Sequence, residues 1–289
     1  MKPASKVWLV TGSASGLGRD IAEAVLADGD RLVATARDPR RLEDLTKRYG
    51  DKVRTAALDV ADEAAASAAV QVAIEAFGRL DVVVNNAGYG DIAPFEQLSS
   101  PRFKALIDTN FYGVVNVTRA ALPIMRKQKS GCIFQVSSVG GRLTRPGSTG
   151  YHAAKWAVGG FTESLAQEVA PFGVQVCALE PGGMRTNWGA RANQDSPKLL
   201  PDYEPSVGAV VEALKSYWGN EASDPKKVAQ LILRLATSDK LPAHLLLGSD
   251  AVKYAEQAET TRAAEAKHWR EASLSTDVNA DVALPTMKF

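Results

Sequence analysis

Tyr151 and Lys155 stand four residues apart in the run Tyr151-His152-Ala153-Ala154-Lys155, and Ser138 lies thirteen residues upstream. On a helix, residues at i and i+4 share a face. An ammonium held near a phenol favours the phenolate, so a tyrosine of ordinary pKa about 10 becomes able to exchange protons near neutrality. A phenol tuned in that way can give a proton to a ketone oxygen and take it back from an alcohol, with no metal required. Taken alone, the pair also reads as a core tyrosine beside a solvated surface lysine. What separates the two readings is the rest of the chain.

Apolar runs of strand length at 7–11, 32–36, 53–58, 80–84, 132–136 and 174–179 alternate with helical periodicity at 21–25, 42–49, 64–77, 101–127 and 151–169. Repeated β-α units with short loops specify an α/β fold of Rossmann type, a doubly wound parallel sheet with helices on both faces. No linker interrupts the alternation, so residues 1–289 form one domain. Its core is expected at 5–186 plus 240–250, with a substrate lid at 187–238 and a C-terminal helix and tail at 251–289. Residues 187–202 are polar and read as a mobile loop. Helices follow near 206–218 and 224–236, then a short strand at 244–248 and a helix at 251–269, and the last twenty residues look irregular.

Composition narrows the function classes. Hydrophobic residues make up 45% of the chain, charged residues 23%, and the formal net charge is +1. That balance gives no footing for nucleic acid or an acidic membrane surface. No apolar run reaches bilayer length, and the start does not read as a signal peptide, so a cytoplasmic location is expected. Cys132 and Cys177 sit in apolar segments and read as buried reduced thiols. With two cysteines and three scattered histidines, no metal site is expected.

The run Thr11-Gly12-Ser13-Ala14-Ser15-Gly16-Leu17-Gly18 falls between the first strand and the first helix. Glycines there permit a tight turn and close approach to a pyrophosphate, which also meets the positive helix N-terminus. The second strand ends in Ala36-Arg37-Asp38. Ala36 fills the place where a carboxylate would bind a ribose 2′-hydroxyl, and Arg37 follows with a guanidinium suited to a 2′-phosphate. The favoured cofactor is therefore NADP(H), with NAD(H) as the other candidate. The rival reading is that Arg37 pairs with Asp38. Asp59, after the third strand, is placed to accept from an adenine amino group; capping of the next helix is its rival role, though Asp62 suits that better.

Together these residues resemble the short-chain dehydrogenase/reductase family. The matched elements are the glycine run, Asp59, Asn85-Asn86-Ala87-Gly88, Asn110, Ser138, 151–155 and Pro181-Gly182 with Thr186, in family order and spacing. The flavour of Asn85 to Gly90 and of Glu180 to Gly183 is similar to the 17β-hydroxysteroid-dehydrogenase-like branch. The resemblance implies Tyr151 as general acid or base and Lys155 as the group that lowers its pKa and holds the nicotinamide ribose. It implies Ser138 on the substrate oxygen and Asn110 holding a water of a proton relay. Gly12, Ser13, Ser15, Gly16, Leu17 and Gly18 would bind cofactor, joined by Arg37, Asp59 and Val60. Asn86, Ala87 and Gly88 would line the adenosine side, and Pro181, Gly182, Met184 and Thr186 the nicotinamide side. Ser137 is a rival for Ser138, since strand alternation lets only one face the cleft. Asn110 is a poor helix former inside a helical pattern, which points to a kink; an exposed Asn is the alternative.

The implied activity is NADP(H)-dependent interconversion of a ketone or aldehyde and an alcohol. A non-catalytic NADP(H)-binding sensor on the same fold is the alternative, although it would not need all four of Asn110, Ser138, Tyr151 and Lys155. An epimerase or dehydratase would carry a different glycine spacing and a longer substrate domain. Candidate substrate walls are Tyr89, Ile92, Val139, Arg142, Leu143 and Trp188, with Arg145 and Met184 nearby and Tyr203, Tyr217 and Trp218 closing over them. Their apolar content favours a hydrophobic substrate, while Arg142 and Arg145 keep an acidic one open. The tail extends past the family's common ending, which favours a homodimer on the helices near 101–127 and 151–170 over a tetramer.

Overall fold

A computed structural model describes residues 5–194 and 197–278. Seven strands form one sheet: β1 (Val7–Val10), β2 (Arg31–Ala36), β3 (Val53–Ala57), β4 (Val82–Asn85), β5 (Gly131–Val136), β6 (Val174–Pro181) and β7 (His244–Leu247). Every pairing is parallel and the order is β3-β2-β1-β4-β5-β6-β7. The helices are α1 (Gly16–Asp28), α2 (Glu43–Tyr49), α3 (Glu63–Phe77), α4 (Ser100–Ile107), α5 (Gly113–Gln128), α6 (Thr149–Val169), α7 (Trp188–Gln194), α8 (Ala209–Tyr217), α9 (Pro225–Leu235), α10 (Ser249–His268) and α11 (Arg270–Leu274).

The central strands are apolar on both faces because helices cover both. Trp8, Val10, Leu32 and Phe134 pack with Ile21, Val25 and Ile232 on one side, while Val7, Leu9, Val83 and Ile133 pack with Val70, Val117 and Leu165 on the other. Helix ends follow local chemistry. Asp62 accepts from the Ala65 amide and caps α3, the role expected for it. Gly29 and Gly78 end α1 and α3 in the left-handed conformation.

Strand order reverses between β1 and β4, so the cleft opens at their carboxyl ends. The turns after β1, β4, β5 and β6 converge there. Three expectations change in detail. The single helix expected at 101–127 is broken by a π-helical turn at Asp108–Tyr112. The polar segment 187–202 is not simply a loop, for α7 forms at its start; residues 195 and 196 lie outside the described residues. Part of the irregular tail is the short helix α11, and 279–289 lie outside the description. Among the described residues no helix is long and apolar enough to cross a membrane, and no cluster of potential ligands could hold a metal ion.

Candidate active site

Tyr151 and Lys155 lie on one face of α6 with the side chains 9% and 5% exposed. Lys155 Nζ stands 5.7 Å from the centre of the Tyr151 ring and donates to the Val136 carbonyl at 2.8 Å. Ser138 follows β5 and hydrogen-bonds the Tyr151 hydroxyl, and its Oγ also accepts from the Gly140 amide at 3.0 Å. Ser137 points the other way, with its hydroxyl toward the Lys155 backbone oxygen at 3.4 Å. The alternation expected of the strand therefore puts Ser138 on the cleft.

The electrostatics differ from the expectation. Burial pushes the Tyr151 phenol above its usual value, and the Ser138 hydrogen bond and the Arg145 charge only partly oppose it. Burial also brings Lys155 down to about 8. The lysine does not offset the tyrosine's burial because its ammonium is turned to Val136, beside the ring rather than at the phenol oxygen. The pair thus holds a firmly bound phenolic proton next to a lysine able to release one near neutral pH.

Asn110 occupies the π turn and is 0% exposed. Its amide nitrogen donates to Tyr89 O at 2.9 Å and Leu106 O at 3.0 Å, while Oδ1 has no partner among the described residues. The extra residue of a π turn re-aims a side chain, which is the kink that a mid-helix Asn predicted. A Cβ on Gly88 would lie 2.6 Å from that oxygen and 3.8 Å from Lys155 Nζ. Gly88, Asn110 and Lys155 are therefore one contiguous group.

On the opposite rim, Gly12 and Gly16 have φ of 70° and 57°, which favours glycine. A Cβ on Gly18 would fall 2.4 Å from both Gly12 O and Asn86 Nδ2. Thr11 Oγ1 accepts from the amides of Asn86 and Ala87 at 2.9 Å each, and Asn86 Nδ2 donates to Thr11 O. Asn86 and Ala87 thereby brace the glycine loop. Leu17 packs into the core, and Ser13 is buried with its hydroxyl donated to Val10 O at 2.9 Å. Ser13 is thus an internal strut, a place its sequence neighbours did not reveal. Val60 is buried and its carbonyl receives Asn116 Nδ2; Asp59 is exposed and accepts from the Ala61 amide. Arg37 is exposed and makes no hydrogen bond or ion pair among the described residues, because Asp38 is held by Arg40. The rival pairing of Arg37 with Asp38 is not formed.

At the end of β6, Pro181 is buried and Gly182 is a place for glycine alone, since a Cβ would meet Asp250 Oδ1 at 2.3 Å. Asp250 accepts from the Gly183 amide and the Tyr217 hydroxyl, both at 2.7 Å. Tyr217 therefore braces this turn. Met184 pairs with Ser223 in an isolated bridge, and the Thr186 side chain lies 3.9 Å from where a Gly16 Cβ would stand. Glycines of positive φ, a helix N-terminus, an uncommitted Arg37 and the unpartnered Asn110 Oδ1 beside Lys155 together fit a nicotinamide dinucleotide.

The residues expected on the substrate side divide. Trp188 tilts over Tyr151 with ring centres 5.2 Å apart and is pressed on Gly90, where a Cβ would come within 2.4 Å of it. Ile92 is buried with Ala192 and Val207 in a small core of their own, against Leu199, Tyr203 and Leu214. Tyr89 is exposed beside Asn110, and Val139 and Leu143 are half-buried after Ser138. Arg142 is committed elsewhere: its Nε bonds both oxygens of buried Glu180 at 3.0–3.1 Å, and its Nη1 pairs with Glu259 of α10. His244 adds a third bond to Glu180 at 2.7 Å.

His152, unremarked in sequence, holds the turn that carries Ser138. Its Nδ1 donates to Gly140 O at 2.8 Å, and Nε2 accepts from the Arg145 amide at 3.3 Å. That pairing requires the neutral ring, and burial lowers its pKa accordingly. Position beside Tyr151 was the one available signal. Glu180 and Asp250 gave none, because their partners are distant in sequence.

Residues 6–197 match the family described as short chain dehydrogenase. Oxidoreductase BOA17 of Botryotinia fuckeliana is 47% identical over 273 residues, covering 94% of this chain and 99% of that protein. A 3-ketodihydrosphingosine reductase of Bacteroides thetaiotaomicron is 33% identical over 245 residues, covering 84% and 88%. The crystal structure of a short-chain dehydrogenase from Streptomyces avermitilis superposes with a TM-score of 0.86 at 37% identity, covering 95% of this chain and all of that one.

Proposed function

The chain belongs to the short chain dehydrogenase family and is an oxidoreductase, and we propose that it reduces a hydrophobic ketone or aldehyde to the alcohol with NADPH. The observation that carries the proposal is the group of half-buried Ser138 with buried Tyr151 and Lys155, lying between the glycine loop and the aromatic lid. A nicotinamide dinucleotide, when bound, supplies the hydride. The chain's own residues bind it, orient the carbonyl and move the proton.

Gly12, Gly16 and Gly18 would admit the pyrophosphate, with Ser15 at the rim. Arg37 would take the 2′-phosphate, and Asp59 with Val60 would face the adenine. Pro181, Gly182, Met184 and Thr186 would flank the nicotinamide, and Lys155 its ribose. Ser138 and Tyr151 would both hydrogen-bond the carbonyl oxygen. Tyr151, whose raised pKa keeps its proton on at neutral pH, would donate it as negative charge develops on that oxygen. Lys155, near 8, would restore that proton, with Asn110 Oδ1 beside it positioning a water toward solvent. The same groups run in reverse for alcohol oxidation.

Support for NADP(H) over NAD(H) is the uncommitted guanidinium of Arg37 after an apolar Ala36. Support for a hydrophobic substrate is the Trp188–Tyr151 contact, the apolar lid and the removal of Arg142 into ion pairs. The Bacteroides relative, named as a reductase of a keto compound, points the same way. Kinship with the 17β-hydroxysteroid-dehydrogenase-like branch rests on the motifs at 85–90 and 180–183. A homodimer on α4, α5 and α6 would cover Tyr112 and Trp156, which are exposed there. Light scattering tests that assembly.

The decisive assay follows nicotinamide absorbance with NADPH and with NADH across cyclic, aromatic and long-chain ketones and small hydroxy or keto acids. Turnover of apolar ketones with NADPH preferred is expected, and Arg37→Ala should remove the preference. Activity confined to small acids, or a preference that survives Arg37→Ala, overturns the corresponding half of the proposal.

A further inference from the structure

One charged side chain crosses from the lid to the nucleotide loop. Arg191 lies on α7, three residues beyond Trp188. Its Nε donates to Asn187 O at 3.3 Å, and its Nη1 reaches Ser15 Oγ at 3.4 Å. The guanidinium is thus tied to the residue before its own helix at one end and aimed at the glycine loop at the other. Ser15 immediately precedes α1, where the backbone amides and helix dipole favour an anion. Arg19, the other arginine at that turn, is committed to Glu23 and Asp44. On the same short helix Trp188 tilts over Tyr151 and Ala192 is buried in the lid core.

We propose that Arg191 is a lid-borne clamp for the cofactor's pyrophosphate, so that loading of the glycine loop seats Trp188 over Tyr151. The proposal rests on the dinucleotide-dependent reading above. A neutral hydroxyl at 3.4 Å is a weak partner for a guanidinium, whereas phosphate oxygens match its planar fork and its charge. Because Trp188 and Arg191 share one helix, strengthening the second contact holds the first in place. The clamp differs in kind from Arg37, for the pyrophosphate is common to NADPH and NADH while the 2′-phosphate is not.

Equilibrium binding, read by fluorescence, tests it with NADPH, NADH and adenosine 2′-monophosphate, which lacks a pyrophosphate. Arg191→Ala should weaken both dinucleotides alike, about tenfold each, and leave the mononucleotide unchanged. Arg191→Lys, which keeps charge but loses the fork, should recover part of the loss. The part of the tryptophan emission change on NADPH binding that Trp188→Phe removes should shrink in Arg191→Ala. Unchanged dinucleotide affinity, a loss confined to NADPH, or a loss that extends to the mononucleotide overturns the clamp. If the wild-type protein binds neither dinucleotide, the functional reading falls as well; if it binds them and Arg191→Ala is silent, only the clamp falls.

Discussion

On the strand side of the cleft, Ser138, Tyr151, Lys155 and Asn110 are anchored in elements that belong to the two main hydrophobic cores. On the lid side, Trp188 rests on a small core of Ile92, Ala192 and Val207, and Arg191 reaches out through solvent. The first region holds these candidate proton-transfer groups in place with buried and part-buried hydrogen bonds. The second is held by few apolar contacts and is the part with low stability against local opening. Chemistry common to many substrates needs the fixed side, where a small displacement is costly. Choice of substrate, and passage in and out, needs the side that can open.

That contrast can be broken by mutation. Tyr151→Phe removes only the hydroxyl and keeps the ring under Trp188, so carbonyl reduction should fall about 10²- to 10⁴-fold with the melting temperature little changed. Steady-state kinetics with parallel calorimetry reads both, and retained turnover would dissolve the fixed side's role. Next in size is Arg142→Met. It leaves the buried Glu180 carboxylate with His244 as its remaining partner, at a cost of about 3 kcal/mol in denaturant unfolding. Unchanged stability with selective loss of acidic substrates would return Arg142 to the substrate wall.

Lys155→Met sharpens the comparison through pH. Burial lowers the lysine from 10.5 to about 8, so the folded chain releases this proton before the unfolded chain does. The penalty for the buried ammonium is therefore full below pH 8 and is relieved as pH rises from about 8 to about 10.5. The inactive variant should be more stable than wild type at neutral pH, by at most roughly 3 kcal/mol, with the gap closing at alkaline pH. A gap that widens with pH would reverse the sign of the burial effect. The smallest effect belongs to the lid. Trp188→Ala should raise KM for bulky ketones several-fold through the lost aromatic contact, about 1 kcal/mol, with kcat less affected. An equal fall in kcat would move Trp188 to the fixed side.

The parallel sheet, the glycine turn and the Tyr151–Lys155 face were legible in the sequence because each depends on residues a few positions apart. Alternation of strand and helix sets the layers, i to i+4 spacing sets the face, and strand alternation left one place on the cleft for Ser137 or Ser138, which the spacing to Tyr151 gave to Ser138. Asn110 was legible as a misfit, and the π turn supplies its reason. α7 was hidden because it is a single short helix whose one apolar pair, Trp188 and Ala192, stands in an otherwise polar stretch.

Tertiary structure alone decided what pairs across the cleft. Arg142 found Glu180 and Glu259, Asp250 came under Gly182, and Arg191 met Ser15, all across separations that no local pattern encodes. It also decided the direction of the Tyr151 shift. The spacing to Lys155 predicted a lowered pKa, but a pKa follows the free energy of charging in place, and that is set by burial and by where the ammonium points. Sequence determines which groups share a face; only the packed structure determines how much water and which dipoles each one keeps.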